Sequence, residues 1–196
     1  MMRPLRRARL LATLSRLRRS RDGVSAVEFA LLAPVFLIIL AGVVDIGAVL
    51  YTKYRLNSAI SAGSNYALVN GQDISENNGS TLALNIARLL AGPESGTGAS
   101  PEAVVAVNNG TQVAMSGGTA TSTTMPGDAN SCYCPQITGG TVNWGTAITC
   151  GSACSGGAIA GKYVIIKVSR PFTPMFSGYG IVNQGQISVS AVVQGR

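Results

Sequence analysis

At 196 residues the chain has room for one ordinary domain with extensions. Only 12% of its residues are charged and its mean hydropathy is +0.30. These values fit a membrane segment or a weakly charged secreted domain better than a soluble cytosolic enzyme. The formal net charge of +7 invites a nucleic-acid reading, but its distribution excludes one. Eight of the fifteen basic residues are arginines between Arg3 and Arg21, and from Val24 onward seven basic and seven acidic residues cancel.

The basic leader, residues 1–23, precedes an apolar stretch, and that order is a topology signal, because positive residues tend to stay cytoplasmic. A secretory signal peptide would place a small-residue cleavage site after its apolar core, and no clean Ala-x-Ala follows this one. The pairs Arg6-Arg7 and Arg18-Arg19 suggest a twin-arginine signal, but Glu28 lies within the apolar stretch that follows and argues against it. Phe29–Val44 is uncharged and almost wholly apolar. As a helix it covers about 24 Å, and its flanks Val24–Val27 and Ile46–Leu50 complete a span of the ~30 Å hydrocarbon layer. Glu28 and Asp45 then fall near its two edges, and the favoured reading of Asp45 is a solvated residue at the outer interface. Pro34 removes one backbone donor inside this helix and is expected to kink it. Tyr51, Lys53, Tyr54 and Arg55 suit the far interface, where aromatic belts sit.

Helical spacing continues through Leu56, Ala59, Ile60, Gly63, Ala67 and Leu68. One helix from Val24 to Val69, stopped at Asn70-Gly71, follows, with Ala59, Ala62 and Gly63 permitting close packing on a domain. A shorter amphipathic helix is expected over Thr81–Leu90, ended by Gly92-Pro93. Beyond it Gly, Ser, Thr and Asn dominate. Strands are expected at Ala103–Val107, Thr111–Met115, Lys162–Ser169 and Gln186–Val193, with the "NNG" of Asn108–Gly110 as a hairpin turn. The fold class is therefore α+β: a long N-terminal transmembrane helix (residues 24–70) packed against a small antiparallel sheet in a domain of residues 71–196.

Four cysteines, Cys132, Cys134, Cys150 and Cys154, fall in one loop. The chain has no histidine, and Cys-x-Cys is not the usual zinc spacing, so no metal is assigned. In an oxidising compartment an even count points to two disulfides bracing a loop with almost no apolar content. A direct bond between Cys132 and Cys134 would strain a small ring, so both should pair with Cys150 and Cys154. The two possible connectivities stay open.

Without histidine the commonest general base is missing. The acids past the apolar helix, Asp73, Glu76, Glu94, Glu102 and Asp128, are scattered through polar segments. The Gly-rich "GPESGTGAS" lacks the lysine and the strand–helix context of a phosphate loop. Trp144 reads as local packing beside the disulfides. No catalytic residue and no cofactor is assigned.

The informative constellation is N-terminal: a basic leader, Gly23, four small or apolar residues, Glu28, Phe29 and then an apolar helix with a proline. It resembles the processing region of type IV prepilins. More closely, "GVSAVEFALLAPVFLIILAGVVDIGAVLYTKYRLNSAISAGSNYAL" is similar to the TadE-like pseudopilins of Flp/Tad tight-adherence pilus systems. "CYC", "CGSAC" and "YVIIKVSRPFTPMF" look like features of the same group. The resemblance implies a minor pilin that a prepilin peptidase cuts after Gly23 on the cytoplasmic face, leaving Val24 as the new N-terminus. Glu28, the fifth mature residue, followed by Phe29, would pair with the terminal amine of a neighbouring subunit. The implied partners are that peptidase, other pilin or pseudopilin subunits, the Tad inner-membrane assembly platform and membrane lipid. The implied location is a bacterial inner membrane, crossed once with the N-terminus in the cytoplasm and the C-terminal domain periplasmic or in the extracellular filament. The competing reading is an uncleaved signal-anchored envelope adhesin or binding domain.

Overall fold

A computed structural model describes residues 23–92, 100–138, 141–175, 182 and 185–195. The leader before Gly23, and Glu94 with most of its Gly-rich segment, lie outside the described residues. The chain divides into two compact units, Met1–Asp45 and Ile46–Arg196, and the boundary falls inside the first helix. That helix, α1, runs Val24–Val69 through Pro34 and ends where Asn70-Gly71 was expected to stop it. A 3-10 turn (Gly71–Asp73) follows, then α2 (Gly79–Ala91). Gly92, at φ 66°, closes α2 and donates its backbone N–H to the Arg88 carbonyl, a terminus that glycine makes without a Cβ penalty.

Within the first unit α1 is the described structure, and its side chains from Val24 to Val44 are largely exposed: Phe29 is 71% exposed and Leu31 72%. Twenty-one residues from Val24 to Val44 make about 31 Å of helix, and the most apolar window of α1 has a mean hydropathy of 2.6. α1 is long and apolar enough to cross a membrane. Asp45 departs from its solvated reading, since it is only 4% exposed.

The second unit is built on a five-stranded antiparallel sheet. In chain order its strands are β1 (Glu102–Val107), β2 (Thr111–Ser116), β3 (Thr119–Thr124), β6 (Tyr163–Pro171) and β7 (Gln186–Gln194), and in space they run β3-β2-β1-β6-β7. Between β3 and β6 a separate hairpin pairs β4 (Gln136–Thr138) with β5 (Thr141–Asn143). The four expected strands are present. β3 was not expected: its "TATSTT" is exposed at every position, so no burial pattern announces it. It forms by pairing along its whole length with β2, from Ser116↔Thr119 to Thr111↔Thr124.

Alternation along the strands gives the sheet two different faces. Val105, Val107, Val113, Val164, Ile166 and Val168 point to one side and form a single core with Leu56, Ile60 and Ala67 of α1 and Leu82, Ile86 and Leu90 of α2. Each valine, leucine or isoleucine among them contributes about 1.5–3 kcal/mol on burial. Gly63 sets the helix–helix approach: a Cβ there would stand 3.3 Å from Ile86 Cγ2 and 3.3 Å from Leu90 Cδ2. Ala59 packs against this core, whereas Ala62 and Leu68 are exposed and take no part in the seam. The opposite face carries a second, smaller core of Ala106, Tyr133, Trp144, Tyr163 and Ile165.

Candidate functional site

Two places carry the residues that the sequence singles out. The first is the start of α1. Gly23, Val24, Glu28 and Phe29 occupy its entry and first two turns, and all four are exposed. Val24 and Glu28 stand four residues apart, so they share one face of the helix, one turn from each other. The carboxyl of Glu28 is set among exposed apolar side chains, Val24, Val27, Phe29, Leu31 and Leu32. This is an exposed apolar surface with one acid in it.

The second place is the loop that crosses the sheet between β3 and β6. Its cysteines pair Cys132–Cys150 and Cys134–Cys154, with Cα atoms 5.1 and 5.7 Å apart, inside the usual range for a disulfide. The expected cross-pairing is found, and the connectivity is now fixed. The bridges close separations of 18 and 20 residues. Loops of that size are worth about 3 kcal/mol each in the chain-entropy description, less when two interlaced bridges constrain the same segment. Tyr133, held between the two cysteines of "CYC", meets the Trp144 ring edge-on at 5.9 Å and 71°. Trp144 therefore packs locally, as expected of it. A Cys132→Ala/Cys150→Ala double variant should lose about 2–4 kcal/mol from the loop and shift Trp144 emission to the red. Urea titration followed by fluorescence checks this, and an unchanged spectrum and midpoint would contradict the bracing role.

Sequence reading missed what anchors this loop to the sheet. Asn108 belongs to the "NNG" turn, but its side chain is fully buried. Its Nδ2 donates to the carbonyls of Ala129 at 2.7 Å and Ser131 at 2.6 Å, and its Oδ1 accepts the Tyr163 N–H at 3.2 Å. The backbone requires asparagine-type tolerance as well. Asn108 and Asn109 have φ of 45° and 58°, the positive values that a type I′ turn needs at both central residues. Gly110 completes the fit, because a Cβ there would stand 2.3 Å from that of Ala129. Asp128 holds the next turn: its carboxylate accepts from the Asn130 N–H at 2.8 Å and the Ser131 hydroxyl at 2.9 Å. These bonds, the backbone one first, hold its carboxyl below the usual carboxylate range. The tie is present above the ordinary carboxylate pKa and is lost as pH falls through the lowered value.

The described residues contain no cluster of three or more histidine, cysteine or acidic side chains able to hold a metal. What they do contain is a membrane-capable N-terminal helix with one acid near its start, continued into a disulfide-bearing α+β domain. The family model that matches is that of the TadE-like proteins, and it covers residues 23–64, from Gly23 to the part of α1 that packs in the α+β domain. The match makes this segment, less than a quarter of the chain, similar to the TadE-like proteins. No curated protein and no solved structure matches the chain.

Proposed function

We propose that the protein is a minor pilin of a Flp/Tad-type pilus, a structural subunit processed after Gly23 and drawn from the inner membrane into a filament used in adhesion or secretion. The observation that carries this reading is the TadE-like match beginning at Gly23, on a helix whose first twenty-one residues expose apolar side chains around Glu28. The arginine-rich leader keeps the N-terminus cytoplasmic, where a prepilin peptidase removes it. Glycine before the cut lets the enzyme approach the scissile backbone closely. Val24 then carries a free amine, and the Glu28 carboxylate pairs with the corresponding amine of a neighbouring subunit. The C-terminal domain lies in the periplasm and later in the filament, an oxidising setting that suits its two disulfides. Its size favours a minor component over a small major pilin made mostly of helix. The other subunits and the Tad inner-membrane platform are its partners.

Intact mass and N-terminal sequence of the protein taken from its native membrane test this directly. The expected mature chain begins at Val24, and a bulky replacement of Gly23 should block its appearance. A chain that still begins at Met1 or Met2 would instead be a signal-anchored envelope protein, and the processing and pairing roles of Gly23, Val24 and Glu28 would fall with it.

A further inference from the structure

The face of the sheet turned away from the helices is only partly covered. The disulfide-braced loop closes one end of it over Ala106, Tyr163 and Ile165. Beside that end a cleft of about 870 Å³ opens between the sheet and the β4–β5 hairpin. Its floor is made of alternate residues on the inner strands and β7, with Val104 from β1, Lys167 from β6 and Ser188 and Ser190 from β7. The register places Lys167 directly between Val104 and Ser190.

Three observations bear on what the cleft accepts. Lys167 is the one charged residue among the described residues lining it, and no carboxylate joins it there. The Lys167 side chain is exposed and makes no hydrogen bond or ion pair among the described residues. Glu102, on the same face two residues before Val104, is opposite Ser169 and accepts instead from the Ser116 hydroxyl at 3.4 Å. At the closed end Trp144 is 5% exposed, and its Nε1–H is the one buried side-chain donor without an acceptor among the described residues. An indole N–H is donor-only, and leaving such a group buried and unmet costs about 1–3 kcal/mol. The cleft thus offers the Lys167 ammonium, and its hydroxyls and amides (Ser188, Ser190, Gln112) add polar partners.

We infer that this cleft binds an extended acidic peptide segment of a partner protein, with a carboxylate on Lys167 and the segment running past Trp144 at the closed end. A peptide fits better than an acidic sugar. The aromatic rings here are buried, with Tyr133 at 3% and Tyr163 at 8% exposure, so none presents the open face on which a sugar ring stacks. The hairpin instead supplies main-chain edges: β4 and β5 pair only with each other among the described residues, and an extended chain adds to such an edge by backbone hydrogen bonds. This inference does not depend on processing or filament entry.

Trp144 is the chain's single tryptophan, so the site carries its own reporter. Full-length protein in detergent micelles is titrated with a blocked five-residue peptide alternating glutamate and valine. The same titration is run with the glutamine counterpart and with a galacturonate trisaccharide. A saturable change in Trp144 emission is expected for the acidic peptide, at least tenfold weaker for Lys167→Gln and for Ser190→Asp, and retained in Lys167→Arg. Lys167 and Ser190 lie outside both hydrophobic cores, and circular dichroism confirms that each variant is folded. No saturable response, equal binding by Lys167→Gln, equal binding of the glutamine peptide, or binding of the trisaccharide in place of the peptide would each overturn the inference.

Discussion

Replacing Asn108 with alanine should cost the α+β domain at least about 3 kcal/mol. Three backbone groups bond to that one side chain: the buried carbonyl of Ala129 and N–H of Tyr163, and the part-buried carbonyl of Ser131. Each loses its partner in the variant, at about 1–3 kcal/mol for a buried polar group left unmet. A further ~1–2 kcal/mol comes from asking alanine to hold a positive φ. Asn108→Gly separates the two effects, because it relieves the backbone but leaves the same three groups unpaired. Asn108→Asp is the sharper variant. It keeps the shape and the acceptor for Tyr163, yet points an acceptor at two carbonyls, so it should be at least as destabilising as alanine above the carboxylate pKa. Urea midpoints for the four proteins decide the matter. A loss under about 1 kcal/mol in Asn108→Ala would show that the loop is held by its disulfides and aromatic core, with Asn108 merely filling space.

That dependence explains why some of this fold is legible in the sequence and some is not. α1 is legible because forty-six residues carry an uninterrupted signal, apolar all round at first and helically spaced later. β6 and β7 are legible because Val164, Ile166 and Val168, and then Ile187, Val189, Ala191 and Val193, mark one face each. β3 is not, because an edge strand exposed on both sides has no face to mark, and its pairing with β2 is a backbone matter. The cysteines announce cross-pairing through their spacing, but connectivity follows from how the loop folds over Tyr133. Asn108 is read as a turn residue from its neighbours, and nothing in "NNG" says that its side chain turns inward to hold a segment more than twenty residues away. Asp45 is the same kind of error: an acid at the edge of an apolar run looks solvated, and only the folded chain buries it. The candidate site divides likewise. Gly23, Val24, Glu28 and Phe29 stand out by composition against their surroundings, whereas Lys167 and Trp144 acquire their setting only when the hairpin is laid on the sheet.

On the proposed function, Glu28→Ala should leave membrane insertion and cleavage after Gly23 nearly unchanged and reduce incorporation into filaments at least tenfold. The reason is a difference between two states. A carboxylate at the centre of a membrane helix costs roughly 2.5–3.5 kcal/mol even on lenient insertion scales, and Glu28, near the edge of the span, bears a part of that cost in the isolated subunit. A neighbour's terminal amine offsets it, so assembly is favoured by relief of a strain that the single subunit carries. Alanine removes the strain and with it the preference for the docked register. Because 1.4 kcal/mol is a tenfold change in an equilibrium, a pairing gain of about that size on docking gives the expected factor. Glu28→Gln tests whether charge is the agent: it keeps the size and hydrogen-bonding capacity but not the attraction for an ammonium, and should fall close to alanine. The measurement is the amount of each variant in sheared filaments relative to its amount in the membrane, with the mature mass checked alongside. Cleaved Glu28→Ala entering filaments at the wild-type level would remove the pairing role from Glu28 while leaving the processing step standing. Loss of cleavage in the same variant would move its importance to recognition by the peptidase.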